Sequence, residues 1–220
     1  MKYLTLITTA FLLFSCSSAP PPKVFSVDLN SYRCDAGSVE VYFDRYLSIG
    51  SLKKNTVNVF YYPAEDAVCL QFKAIYVGCN QFWDKTGRDA FVAAFKRYQE
   101  EYEQRKLTNG GRKAREAYGA VQGFFAWKKT PVSVQAKGNP KYSFGYQFKD
   151  NAVFFTTTQG ESRYEDPLTR DRSQTSPVLL MYFTRAQAES LAEIFSQEYL
   201  QGLGNQPGSA GGGYTELDGY

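Results

Sequence analysis

Aromatic residues alternate with other residues in one short stretch of the chain, and this alternation constrains the fold more than any other feature. Every second position from Tyr142 to Phe148 is aromatic, and Asp150-Asn151 follows directly. A period of two is that of a half-buried β-strand, and Asp-Asn suits both positions of a tight two-residue turn. We therefore predict a hairpin whose second strand runs from Ala152 to Thr158. The turn sets two cross-strand pairs, Phe148 with Val153 and Tyr146 with Phe155.

Further extended and helical segments surround this hairpin. A helix is predicted over about 88–107, capped by Thr86, and another over about 185–200, capped by Thr184. Apolar patterning predicts six more strands, near 38–47, 57–61, 67–78, 121–128, 132–136 and 178–183. The predicted class is α+β: antiparallel sheet or sheets of about seven to eight strands with two helices packed on them, in a single domain over residues 24–201.

The first sixteen residues have the features of an export signal. Lys2 is followed by an apolar stretch from Tyr3 to Phe14, too short to span a membrane, and Leu13-Phe14-Ser15 leads into Cys16. This segment resembles the lipobox of bacterial lipoproteins, with a looser pattern similar to that of spirochaetes. The resemblance implies cleavage between Ser15 and Cys16 and covalent lipid on Cys16, the only cofactor expected.

The segments at the two ends of the predicted domain have the composition of linkers. Three prolines in residues 16–23 favour an extended tether of about 20 Å. Residues 202–220 are rich in glycine and are predicted to form a flexible tail. Ser17 after the lipidated cysteine is similar to lipoproteins of the outer membrane. We therefore expect an exported protein anchored to membrane lipid through acyl chains, with the periplasmic or surface side left open.

The chain contains no histidine, and this composition excludes several classes of function. Ser–His–Asp and Cys–His nucleophiles, histidine general bases and histidine-ligated metals are all ruled out. Loss of Lys2 with the signal lowers the net charge from +3 to +2, which gives no strong bias toward nucleic acid or anionic lipid. No metal site and no nucleic-acid partner are predicted.

Three cysteines remain beside the lipidated one: Cys34, Cys69 and Cys79. An oxidising compartment permits one disulfide and leaves one thiol. Cys69 and Cys79 bracket a segment predicted as one strand, which would hold them about 30 Å apart. Cys34 is therefore expected to be one partner, with Cys34–Cys69 favoured, Cys34–Cys79 open, and the third thiol buried and inert.

Two kinds of surface are candidates for function. Aromatic side chains on possible outer strand faces would suit stacking on a sugar or peptide, although a second layer of structure that covers them is the simpler interpretation. These side chains are Trp83, Trp127, Tyr42 and Tyr62. Basic residues follow the first helix at Arg105, Lys106, Arg112, Lys113 and Arg115, where a solvated helix end and loop is the simpler interpretation.

Carboxylates are the remaining candidates for catalysis, and they form two clusters: Glu100, Glu101 and Glu103, and Glu161, Glu165 and Asp166. Glycan hydrolysis needs two carboxyl groups facing each other across a sugar. The leading hypothesis is nevertheless a non-enzymatic envelope lipoprotein that binds an unidentified protein or glycan. The alternatives are a carboxylate-dependent enzyme acting on cell wall or glycan, and a structural component of the envelope.

Overall fold

The computed structural model describes residues 25–44, 52–74, 76–128, 135–164 and 174–204. These residues form twelve strands, three α-helices and one 3₁₀ helix (Lys113–Glu116). The helices are α1 (Lys85–Glu103), α2 (Arg185–Ile194) and α3 (Gln197–Gly204). The strands are β1 (Cys34–Asp44), β2 (Leu52–Tyr62), β3 (Ala67–Ala74), β4 (Val77–Trp83), β5 (Ala120–Gln122), β6 (Phe124–Lys128), β7 (Ala136–Gly138), β8 (Lys141–Lys149), β9 (Ala152–Gln159), β10 (Arg163–Tyr164), β11 (Gln174–Thr175) and β12 (Leu179–Phe183). The α+β class is confirmed in outline, but the strands and helices outnumber those predicted.

Ten strands form a single curled antiparallel sheet, in the order β5-β8-β9-β12-β1-β2-β3-β4-β6-β7. β5 continues into β6, and β7 continues into β8. The pair β5–β8 and the pair β6–β7 share one register, as Gln122↔Lys141 and Phe125↔Gly138 show. Both ends of the strand order therefore belong to one long hairpin, and the sheet closes on itself. The side-chain amides of Gln81 on β4 and Gln159 on β9 meet at 3.1 Å across the interior, although these strands are not paired.

The hairpin predicted from the aromatic alternation is present. Phe148 pairs with Val153 and Tyr146 with Phe155, as expected. Asp150 and Asn151 adopt φ angles of 49° and 64° at the turn. Positive φ at both central residues is the geometry that a two-residue hairpin with right-handed strand twist requires, so this prediction is confirmed.

The prediction of a single strand over 67–78 is wrong, because the chain reverses between Ala74 and Val77 and forms β3 and β4. The pattern of apolar and polar residues in this segment does not predict the reversal. Six of the seven residues of β4 are buried, since both faces of this strand are covered. A strand buried on both faces has a continuous rather than an alternating pattern.

The inner face of the closed sheet holds the main core, and α1 packs against it. Phe91 on α1 lies in contact with aromatic rings from both the sheet and the C-terminal helices: Trp83, Phe144, Phe155, Phe183 and Phe195, with ring centroids 5.1–6.2 Å apart. Aromatic pairs at this spacing add to the stabilisation from buried apolar area. The apolar stripe of α1 therefore faces the sheet, as its period indicates.

The boundaries of the helices differ from those predicted because other residues cap them. Asp84, not Thr86, begins α1, and its side chain accepts a hydrogen bond from the Gly87 amide at 2.7 Å. Thr184 caps α2 as expected, in a full capping box. The predicted helix over 185–200 divides in two, since Ser196 accepts from the Tyr199 amide and opens α3.

The outer face of the sheet carries a second, smaller core under the segment 25–29. Val27 is buried, and Phe25 and Leu29 pack beside it on a cluster formed by Tyr62, Ala67, Cys69, Phe82, Phe124 and Ala126. Asn139 holds the beginning of this segment, donating to the carbonyl oxygens of Phe25 at 2.8 Å and of Gly123 at 3.0 Å. The first described residues therefore lie against the long hairpin where β5 continues into β6 and β7 into β8.

The predicted disulfides are not formed: Cys34, Cys69 and Cys79 are all buried free thiols. Cys34 lies opposite Tyr61, and Cys69 lies opposite Phe60 on the other edge of β2. An intervening strand places their Cα atoms about 9–10 Å apart, beyond the limit of about 7 Å for a disulfide. Cys69 faces the outer core and Cys79 the inner core, so these two cannot pair either.

Candidate binding cleft

The predicted aromatic surface is wrong for three of its four residues. Trp83 and Trp127 are 1% and 0% exposed because strand alternation turns both indoles to the inner face of the closed sheet. Tyr62 is on the outer face but lies under the segment 25–29. Tyr42 alone is half-exposed, with its ring 6.0 Å from that of Phe154. These side chains do not form a common surface.

The carboxylates of α1 do not converge on a common site. Glu101 accepts from Arg97 at 3.1 Å and from the Tyr118 hydroxyl at 2.9 Å, so its oxygens are occupied. Burial, and then the bond to Glu101, raise the pKa of Tyr118. Glu161 of the second cluster lies 3.6 Å from Arg163, while Glu165 and Asp166 fall outside the described residues.

An open cleft lies where the end of α1 meets the turn of the β8–β9 hairpin. It has a volume of about 420 Å³ and is lined by Tyr102, Glu103, Arg105, Leu107, Phe148 and Val153. This volume is within the range of about 300–1,000 Å³ typical of ligand sites. Most of the lining is apolar, and Tyr102 is 37% exposed. The cleft therefore places one partly exposed ring beside half-buried apolar side chains.

Two tyrosine hydroxyls fix the walls of the cleft. Tyr98 donates to the carbonyl oxygen of Val153 at 3.2 Å and so joins α1 to β9. The hydroxyl of Tyr146 donates to the Thr108 carbonyl at 3.0 Å and accepts from the Thr108 amide at 3.4 Å. Both backbone groups of Thr108 are thereby satisfied, and the connection after α1 is held against β8. Burial raises the pKa of Tyr98, so this hydroxyl stays a donor over the physiological range.

Charged groups surround the apolar lining of the cleft without forming a catalytic set. The guanidinium of Arg185 lies 4.3 Å from the ring centre of Tyr102, a cation–π contact. Arg105 takes a positive φ of 53° and directs the chain out of the helix. Glu103 is the one carboxylate among the lining residues. This arrangement suits binding an apolar group flanked by polar atoms.

The described part of the chain shows no group of three or more Cys, Asp or Glu side chains placed to hold a metal ion. Within the same residues, no helix is both long and apolar enough to cross a membrane. The cleft itself was not predicted. Its one sequence signal is that the apolar stripe of α1 continues to Tyr102, one turn beyond the last buried aromatic residue, Tyr98.

The structure defines a domain of one closed antiparallel sheet with three helices against its inner face and a small cleft at the end of α1. A family described as an uncharacterised Treponema protein matches residues 24–202, and the chain belongs to this family. Treponema is a spirochaete genus, in keeping with the spirochaete-like signal, while lipid attachment stays a prediction. No curated protein and no solved structure matches the chain.

Proposed function

We propose that this chain is an exported lipoprotein, held at the outer membrane by acyl chains on Cys16, whose domain is a non-enzymatic binding module. Its ligand would be a polypeptide that inserts an apolar side chain into the cleft. The partly exposed ring of Tyr102 beside the half-buried side chains of Phe148 and Val153 is the observation that carries this proposal. Aliphatic side chains beside the two rings favour an apolar peptide group over a sugar, which would need more hydrogen-bonding partners.

The position of the cleft supports this role. Phe25, the first described residue, is held by Asn139 next to the start of β8, whereas the cleft lies at the other end of that strand. Eight residue steps along β8 correspond to about 27 Å. A partner approaching from the side away from the anchor would therefore find the cleft accessible.

The anchor is tested by mass spectrometry of the mature N-terminal peptide from protein purified out of detergent-solubilised membranes. We expect the peptide to begin at Cys16 and to carry the mass of acyl chains. The Cys16→Ser chain should lack this mass and stay out of the detergent phase. An unmodified wild-type cysteine would contradict the anchor.

The cleft is tested by placing a photo-crosslinking amino acid at Leu107 and, in a matched control, at Tyr76. Tyr76 is 79% exposed at the β3–β4 turn, where it does not line the cleft. Irradiation of intact cells should join a discrete polypeptide to position 107 only, and Phe148→Ser should abolish that product. A glycan adduct would show that the ligand is a sugar and not a polypeptide. Identical products at both positions would refute the cleft as the binding site.

A further inference from the structure

We infer that the domain lies on its membrane through a basic face around the point where the chain joins it, binding anionic lipid headgroups. The face consists of Lys128, Lys137 and Lys141 and is called the lysine face below. This inference rests on the proposed lipid anchor and adds the orientation of the domain to it. It also separates the side that meets lipid from the side that carries the cleft.

The register places the three lysines together on the outer face of the sheet. Lys137 and Lys141 flank Asn139 at alternate positions, so their side chains leave the same face, about 14 Å apart along the strand. Ala126 pairs with Lys137, which makes Lys128 a diagonal neighbour of Lys137 at about 7–8 Å. Lys137 and Lys141 are exposed, and Lys128 is half-buried.

Acidic residues are missing from the strands around the lysine face. β3, β4, β6, β7 and β8 contain no aspartate or glutamate. No ion pair joins any of the three lysines to a carboxylate within the described ranges. Arg163 beside β7 is paired with Glu161 and adds no net charge. These five strands therefore carry positive and no negative side chains, although the net charge of the whole chain is small.

The anchor keeps this surface near the membrane. Asn139 lies between Lys137 and Lys141 and binds the backbone of Phe25, nine residues after Cys16. Nine residues span at most about 30 Å, so the lysine face can always reach the lipid surface. Attraction to anionic headgroups acts over a Debye length of about 8 Å at physiological salt, which makes contact the favoured arrangement.

The lysines would also strengthen the attachment of the protein to the membrane. One acyl chain alone holds a protein weakly, and a basic patch is a common second signal. Each lysine close to an anionic surface changes partitioning by about fivefold. The lysine face would therefore hold this side of the domain against the headgroups, while the acyl chains keep the protein attached to the membrane.

The test uses the lipidated full chain on phosphatidylcholine vesicles with and without phosphatidylglycerol. Brief acetylation followed by mass spectrometry measures how fast each lysine reacts, with Lys96 and Lys106 of the α1 region as internal references. We expect Lys137 and Lys141 to react about fivefold more slowly on the anionic vesicles. High salt should restore their reaction rates, and the reference lysines should not change.

Two charge-matched variants complete the test. In Lys137→Glu/Lys141→Glu, the remaining Lys128 should react equally fast on both kinds of vesicle, whereas Lys96→Glu/Lys106→Glu should keep its protection. Equal rates on both vesicles for wild-type Lys137 and Lys141, or selective protection of Lys106, would overturn the lysine face. The N-terminal peptide in the same samples reports the anchor separately, because a missing acyl mass contradicts the proposed function instead.

Discussion

The two ends of α1 are held in different ways. At the first end, Asp84 caps the helix and Arg88 is 1% exposed, with its guanidinium 2.8 Å from Asp66 and 3.2 Å from Gln197. At the last end, Tyr102 is partly exposed and lines the open cleft. The first end is joined to the β2–β3 turn and to α3, whereas the second is held mainly through Tyr98 and Thr108.

Under the proposed function, one end of the helix contributes stability and the other end contributes binding. Buried polar contacts that tie several elements together resist local opening, whereas an end with few buried contacts opens at low cost. Binding surfaces come from such loosely covered regions. Of the four predictions below, given from the largest effect to the smallest, the first tests the closed interior against which both ends pack, and the other three test this division.

Alkaline unfolding tests how completely the interior excludes water. Burial raises the pKa of Cys79 from 9.0 to about 12 and that of Tyr62 from 10.0 to about 12. Both groups ionise more easily in the unfolded chain. Their contribution to the free energy of unfolding is therefore complete below about pH 9 and is lost as the pH rises toward 12. Urea unfolding should show losses of about 1.4 kcal/mol per pH unit for each such group.

The matched control for this titration is Cys79→Ala. It removes one titrating group, so its unfolding free energy should fall less steeply with pH than that of the wild type, even though its stability at neutral pH is lower. A free energy of unfolding that stays constant up to about pH 11 would contradict a closed interior.

Arg88→Ala tests the buried contacts at the first end of α1. The variant loses bonds to the Asp66 carboxylate, to the Asp66 carbonyl and to Gln197. Because Asp66 is itself partly exposed, we expect a loss of about 2–3 kcal/mol of unfolding free energy. Arg97→Ala is the matched control. Arg97 is 61% exposed, and its i,i+4 pair with Glu101 and its contact with the Tyr118 ring should together be worth about 0.5–1 kcal/mol. Equal losses in the two variants would remove the difference between buried and exposed ends.

Asp84→Ala tests the cap alone. Removing the acceptor of the Gly87 amide should cost about 1 kcal/mol, measured by thermal or urea unfolding. Asp84→Asn keeps a side-chain acceptor and should remain within a few tenths of a kcal/mol of the wild type. If Thr86→Ala proved more costly than Asp84→Ala, the assignment of the cap would be wrong.

Tyr102→Ala tests the open end and should have the smallest effect on stability. The side chain is partly exposed and its main partner is Arg185, so a loss of about 0.5–1 kcal/mol is expected. Crosslinking from position 107 should nevertheless fall strongly. A large loss of stability without a change in crosslinking would reverse the roles assigned to the two ends.

Local patterns predicted local structure well in this chain. The hairpin at Asp150-Asn151, its two cross-strand pairs and the helix cap at Thr184 were all predicted correctly, because each depends on residues within a few positions of one another. The errors lie where local signals were equivalent or absent. Asp84 and Thr86 are both good caps, and the reversal between β3 and β4 occurs in a segment buried on both faces.

The candidate site could not be predicted because its residues come from distant parts of the chain. Leu107 and Phe148 line one cleft only because Tyr146 binds Thr108. For Trp83 and Trp127 a covered position was the simpler prediction, but it could not be established, since alternation shows that a strand has two faces and not which face is covered. Closure of the sheet decided that question for both.

By itself, the sequence determined the α+β class, the hairpin, the stripe of α1 and the absence of histidine chemistry, because these follow from residue type and short-range spacing. The tertiary structure alone decided that the sheet closes, that the three described cysteines stay apart and that Lys137 and Lys141 flank the residue that binds Phe25. Those outcomes depend on strand register. Register is a property of two paired segments together, and neither segment contains it alone.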